Sequence, residues 1–223
     1  LGHSFPTRRS ADLLECILPE LQTCVGFNQQ NPHHDKDIFT HILAVVEECS
    51  PELNLRVAGL LHDIAKPLCF TIDKDGIGHF YGHDKKGAMI SEQILRRLKF
   101  DNESIKEISI LVSEHMNILT KPTDASVKRL INRVGVNLVR DLFTLQRADA
   151  LGSRFPEIRL DEIDRVEEKT NVILESKVPL SITELAVNGK DLISEFSLKP
   201  GVEIGNMLKF LLNIVLEIER AHV

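Results

Sequence analysis

Leu55-Arg56-Val57-Ala58-Gly59-Leu60-Leu61-His62-Asp63-Ile64-Ala65-Lys66-Pro67 is an apolar helical run that ends in an adjacent histidine and aspartate. Imidazole and carboxylate both ligate hard or borderline divalent cations, and neighbours at the end of a buried helix can aim at one point. An isolated His-Asp is more often a helix-end hydrogen bond or a solvated pair. The weight of the reading therefore falls on other ligand-type side chains that sit where helices ordinarily place hydrophobes.

The surrounding composition favours helices. With 43% hydrophobic residues in 223, the chain can fill a core. Aromatics are only 5%, with no Trp, while Leu, Ile and Val dominate, which points to packed helices rather than a sandwich or barrel. The formal charge of -6 gives no global pull toward nucleic acid, so any RNA contact must come from local basic patches. Cys16, Cys24, Cys49 and Cys69 show no C-x-x-C spacing, sit mostly among apolar residues and read as reduced core thiols. With no membrane-spanning apolar run and no signal peptide, a cytoplasmic location is expected.

Along the chain, residues 1–13 show no helix or strand period and resemble a translated sequencing adapter. They are set aside as a non-native leader, and the natural protein is expected to begin upstream. A lead helix follows over 14–24, with Leu14, Ile17, Leu18 and Leu21 as its stripe. A second helix over 35–48 carries Ile38, Ile42, Val45 and Val46, and His41 falls in that stripe. The decisive helix, 53–66, is expected to be stopped by Pro67, leaving His62 and Asp63 in its final turn. Residues 70–81 read as a β-hairpin around Asp73-Lys74-Asp75-Gly76. The glycine and glutamate spacing of an EF-hand is not met there, so a calcium loop is rejected. Gly82-His83-Asp84 opens a helix with Ala88, Ile90, Ile94, Leu95 and Leu98 as core. Ser104 and Glu107 form a capping box for the next, which carries Ile108, Leu111, Val112 and His115. Val127, Leu130, Ile131 and Val134 mark a further helix. Leu138, Leu142, Leu145 and Asp149 mark another, with Asp149 at a core position. Helices over 161–176 and 203–219 follow, with short pieces at 182–185 and 191–196 between them.

Six residues stand out: His41, His62, Asp63, His83, His115 and Asp149. Burying an imidazole or a carboxylate without a partner costs a few kcal/mol, on the order of a lost hydrogen bond or more. Three of the six lie on otherwise apolar stripes of separate helices. Independent satisfaction needs several unrelated networks, whereas one metal cluster satisfies them all. The set is therefore read as metal ligands.

These residues resemble the HD superfamily of metal-dependent phosphohydrolases, whose pattern is H, HD, H, H and D on a helical core. Here it reads Phe39-Thr40-His41, Leu61-His62-Asp63-Ile64-Ala65-Lys66, Tyr81-Gly82-His83-Asp84, Ser113-Glu114-His115 and Arg147-Ala148-Asp149. The resemblance implies that His41, His62, Asp63 and Asp149 hold one ion, and that His83 and His115 hold a second, bridged by Asp63. From about Val25 onward the chain also resembles the C-terminal part of bacterial CCA-adding tRNA nucleotidyltransferases. That resemblance is carried by Gly26-Phe27-Asn28-Gln29-Gln30-Asn31-Pro32, His34 to His41, the hairpin Cys69 to His83, Arg147 to Ala150, Ala186 to Leu192 and Lys199 to Gly205. The nucleotidyltransferase head of that family, with its Gly-Ser loop and paired aspartates, has no counterpart in these residues. No nucleotide addition is expected from this stretch alone.

The resulting expectation is an all-α chain: an HD-domain helical bundle with a small β-hairpin insertion, followed by a C-terminal helical extension. The divisions are leader 1–13, lead helix and linker 14–30, HD domain 31–155, and a tRNA-body-like extension 156–223. One or two divalent cations are expected, and the N/O ligand set suits Mn, Fe, Ni or Mg. Two such ions stand about 3.5–4 Å apart, activate a bridging water and clamp a phosphoester. Asp63, Lys66 and His34 are the candidate catalytic residues, with Lys66 as a phosphate-binding point charge. Against this, Lys66 reads equally as a helix-end cation, and His34 and Asp84 as loop or cap hydrogen-bonding residues. Lys85, Lys86, Arg129 and Arg133 are the candidate RNA contacts, although such mixed clusters are more often solvated faces. The expected function is phosphohydrolysis of nucleotide or RNA-end phosphates within a tRNA-processing protein, with tRNA as a partner and no membrane. The competing reading is a non-catalytic tRNA-binding module with a structural metal. A cyclic-dinucleotide or (p)ppGpp hydrolase is disfavoured, because the signatures of those branches are absent.

Overall fold

A computed structural model describes residues 8–30 and 37–217. They are predominantly helical, in the order α1 (Arg8–Ile17), α2 (Pro19–Gln22), α3 (Ile38–Glu48), α4 (Leu53–Leu61) and α5 (Lys66–Cys69), then β1 (Thr71–Ile72) and β2 (Gly78–His79). The chain continues through α6 (His83–Arg97), α7 (Asn102–Glu114), α8 (Asp124–Val134), α9 (Val139–Gly152) and α10 (Glu157–Glu175). A 3₁₀ turn (Ile182–Glu184) precedes α11 (Gly189–Phe196) and α12 (Val202–Glu217). Helix α1 begins at Arg8, inside the stretch expected to lack regular structure. The expected hairpin forms as an antiparallel pair with Thr71 opposite His79. The Asp73 side chain closes its turn, accepting from the backbone N–H of Asp75 and Ile77.

The chain divides into two compact units. The first takes Leu1–Ile118 and Arg140–Ile163, and the second takes Leu119–Val139 and Asp164–Val223.

In the first unit α4 packs on α3 and α7, and α7 packs on α6. Ile38, Ile42 and Val45 of α3 and Leu55, Ala58 and Leu61 of α4 are buried. Ile105, Ile108, Leu111 and Val112 of α7 are buried as well, and each large aliphatic removed from water contributes about 1.5–3 kcal/mol. The face that α6 buries is not quite the expected one. Ile94 and Leu95 are inside, but Ala88 and Ile90 are only half-buried, Leu98 is exposed, and Gly87 and Ser91 take the inner positions instead. Two expected helix signals also move. Asp101 rather than Ser104 caps α7, accepting from the N–H of Glu103 and Ser104, while Glu107 accepts from the Asn54 amide. Pro67 does not stop the decisive helix, because α4 has already ended at Leu61. The following backbone bonds tighten to three-residue spacing, from Ile64 to Leu61 and from Lys66 to Asp63. Pro67 then falls in the first turn of α5, where its missing N–H costs nothing.

In the second unit α12 packs on α8 and α11. Val127, Leu130, Ile131 and Val134 are buried along α8, and Ile204, Leu212 and Leu216 along α12. Thr123 and Ser126 form a capping box at the start of α8, and Asn188 and Asp191 form another at the start of α11. The side chains of Arg129 and Glu217 pair, and Asn132 donates to the Leu180 carbonyl.

Candidate metal centre

Five helical segments of the first unit deliver the six sequence-predicted ligands to one buried place. His41 comes from the middle of α3. His62 caps the end of α4, and Asp63 follows it in the tightened turn. His83 opens α6, His115 caps the end of α7, and Asp149 lies near the end of α9. All six are buried.

The four imidazoles are oriented in the same way. Each Nδ1 lies against a backbone carbonyl: His41 on Gly152 at 3.2 Å, His62 on Gly59 at 2.8 Å, His83 on Phe80 at 2.6 Å and His115 on Val112 at 2.7 Å. A carbonyl can only accept, so these bonds place a ring proton on Nδ1 and turn Nε2 the other way. For His62, His83 and His115 the carbonyl lies three residues upstream. Only His41 uses a distant one. Gly152 permits that approach, since a Cβ there would stand 3.0 Å from the His41 ring.

The Nε2 atoms converge on Asp63. Its Oδ2 lies 3.5 Å from His41 and 3.2 Å from His62, and its Oδ1 lies 3.3 Å from His83 and 3.8 Å from His115. Asp149 Oδ1 is 3.0 Å from His41 Nε2 and 3.8 Å from His62 Nε2. The ligand atoms form two triples close enough to share an ion, His41-His62-Asp63 and Asp63-His83-His115, with Asp63 common to both.

Burial and neighbouring charges pull against each other across the cluster. Burial opposes charge on Asp63, yet His62 and the Lys66 ammonium, 2.8 Å from Oδ2, hold its carboxyl well below the ordinary range. Burial likewise opposes charge on Asp149, and Arg159 with His41 outweighs it in the same direction. Burial works against protonated His62 too, but Asp63 raises its pKa. His115 goes the other way, since burial and neighbouring His62 push it down to about 3, which keeps its Nε2 lone pair available at neutral pH. Among the described residues, His83 Nε2 and His115 Nε2 are two of the buried side-chain atoms with no hydrogen-bond partner. Such atoms cost free energy unless something outside the chain satisfies them. Donors of this kind, imidazole nitrogen and carboxylate oxygen, could hold a divalent metal ion.

Three participants were not legible beforehand. Arg159 donates to Asp149 Oδ2 at 2.6 Å, the buried Gln29 accepts from Lys66 Nζ at 3.2 Å, and Lys66 lies over the Phe80 ring. No periodicity distinguishes Arg159 from the other charges on α10. A cavity of about 240 Å³ opens from the cluster, lined by Asp63, Lys66, Tyr81, Met116, Asp149 and Arg159 among others. Lys85 donates to Glu114 and to the Ser113 carbonyl, and Lys86 reaches the Leu68 carbonyl. Asp84 is half-buried in the first turn of α6. Arg129 is paired in the second unit, where Arg133 lies in the last turn of α8. His34 lies outside the described residues.

Fold and centre together define a predominantly helical protein with a buried imidazole-carboxylate cluster of metal-ligand type. The chain belongs to the tRNA nucleotidyltransferase domain 2 family, which it matches over residues 86–219. It is 33% identical over 216 residues to the A-adding tRNA nucleotidyltransferase of Deinococcus radiodurans, covering 92% of this chain and 48% of that protein. It is 33% identical over 207 residues to the CC-adding tRNA nucleotidyltransferase of Thermus thermophilus, covering 90% of this chain and 45% of that protein. A Multifunctional CCA protein of Cupriavidus necator is 30% identical over 139 residues, which are 57% of this chain and 33% of that protein. The chain thus spans about half the length of the first two of these relatives. No helix among the described residues is long and apolar enough to cross a membrane.

Proposed function

We propose that the chain is part of a CCA-adding-type tRNA nucleotidyltransferase, and that its buried cluster is an HD-type, divalent-metal phosphohydrolase site for nucleotide or RNA-end phosphates. The names of the relatives support the first half. The second half rests on one observation: four imidazoles, each held through Nδ1 by a backbone carbonyl, turn Nε2 toward a single carboxylate, and the Nε2 atoms of His83 and His115 are buried without a hydrogen-bond partner. Orientation through the far ring nitrogen is how proteins prepare histidine for a metal.

In this reading His41, His62, Asp63 and Asp149 hold one cation, and Asp63, His83 and His115 hold a second. Cations bound there supply Lewis-acid polarisation of the phosphoester and a nucleophile at neutral pH. The protein's own groups do the rest. Asp63 bridges the two triples. Lys66, whose ammonium is 2.8 Å from Asp63, lines the cavity and is the point charge for a phosphate oxygen entering there. Arg159, which also lines the cavity, holds Asp149 through Oδ2, so that Oδ1 keeps its place beside His41. A catalytic role for His34 rests on the sequence alone.

The second reading, a tRNA-binding module with a structural metal, draws on the depth of the cluster, since His62 and His115 are 0% exposed. One experiment separates the two. The purified chain is analysed for metal and offered bis(p-nitrophenyl) phosphate and 2',3'-cyclic nucleotides, alongside Asp63→Ala. The hydrolase reading expects bound metal and turnover that Asp63→Ala loses by at least about a hundredfold, as for a missing ligand that leaves no working site. Equal turnover in both proteins removes it. Metal and tRNA binding without turnover leaves the structural reading.

A further inference from the structure

The hairpin carries an aromatic feature that the metal chemistry does not use. His79 ends β2, and Tyr81 follows two residues on, in the turn before α6. Their rings stack with centroids 5.3 Å apart and planes 9° from parallel. The stack is braced from below: His79 Nε2 is bound by Asp73 Oδ2 at 2.7 Å, and Tyr81 Oη lies 3.4 Å from His79 Nδ1. Tyr81 is nevertheless 78% exposed, so the face turned away from His79 is open to solvent. Both rings line the same cavity as Asp63, Lys66 and Arg159. At about 240 Å³, that cavity is smaller than the roughly 300 Å³ at which small-molecule pockets begin. It takes the phosphate end of a ligand and leaves the remainder at the rim, where Tyr81 stands.

We propose that Tyr81, backed by His79, is a base-stacking platform, and that with Lys66 and Arg159 on the phosphate it selects nucleotides or unpaired RNA ends over base-free phosphoesters. This rests on the reading of the cavity as a phosphate site. Stacking on an aromatic face is how proteins hold bases that are not paired, without demanding a particular one.

The chain contains one tyrosine and no tryptophan, so its tyrosine emission reports on Tyr81 alone. The whole chain, with manganese, is titrated with adenosine 5'-monophosphate and with ribose 5-phosphate, exciting where adenine absorbs little. The nucleotide quenches the emission and ribose 5-phosphate does not. By calorimetry Tyr81→Ala binds the nucleotide at least about fivefold more weakly, the low end of the range for a base on an aromatic ring, and Tyr81→Phe restores it. Unchanged emission, equal affinity for the two ligands, or no nucleotide binding overturns the platform. Manganese uptake and cleavage of bis(p-nitrophenyl) phosphate are measured on the same sample. A chain that cleaves but does not quench loses the platform and keeps the hydrolase, and one that quenches without cleaving does the reverse.

Discussion

Replacing Asp63 by asparagine removes the one carboxylate that both ligand triples share, and its consequence for metal-dependent stability can be worked out in advance. A ligand that binds only the native state at 100 times its Kd stabilises by about 2.7 kcal/mol. For a cooperative unit of 150–250 residues each kcal/mol moves the melting midpoint by about 2–4 °C. One bound cation should therefore raise the midpoint by about 5–11 °C, and two should raise it further. In Asp63→Asn neither triple is complete and the rise should vanish. In His83→Ala the triple His41-His62-Asp63 survives, and part of the rise should remain. A separate loss is expected without metal. Lys66, 6% exposed, loses the carboxylate 2.8 Å away, and breaking a buried pair costs about 3–5 kcal/mol. Comparing each protein with its own metal-free midpoint keeps the two effects apart. The assay is scanning calorimetry across manganese, iron(II), nickel and magnesium. A rise in Asp63→Asn as large as that of the unaltered chain, or no rise in the unaltered chain with any of the four, would refute the reasoning.

Gly78→Ala should displace the hairpin, because a Cβ there would stand 2.2 Å from the Gln29 carbonyl oxygen. Altered amide shifts over 70–81 by NMR would show it, and an unchanged spectrum would count against the packing. Thr123→Ala removes the capping-box acceptor at the start of α8 and should cost about 1 kcal/mol in urea unfolding. Leu142→Ala empties a fully buried site and should cost about 2–5 kcal/mol in the same assay. Burial pushes the Cys24 thiol up to about 12, whereas an unfolded thiol ionises at about 8.5. The native state thus keeps a proton that the unfolded chain sheds first. The stabilisation is complete below about 8.5 and is lost as pH rises through the folded value. Urea midpoints taken from pH 8 to 11 should fall, and less steeply in Cys24→Ala.

Helix content was legible because a helix buries one stripe, and stripes such as Leu55-Ala58-Leu61 and Leu142-Leu145 recur at the helical spacing whatever they pack against. The same logic exposed His41 and Asp149, polar residues on stripes otherwise filled by aliphatics. The hairpin was legible for a related reason, since Asp73 and Gly76 encode its turn within a few residues. Helix ends were less so: Ser104 and Asp101 both offer a cap, and Pro67 serves as well to begin a helix as to end one. Tertiary structure alone decided which groups complete the site. Arg159 on Asp149, Gln29 on Lys66 and the Gly152 carbonyl on His41 join residues from 10 to 111 positions apart. Local sequence carries periodicity, which says what goes inside. Partnership across such distances depends on how whole helices pack, and no short stretch of chain contains that.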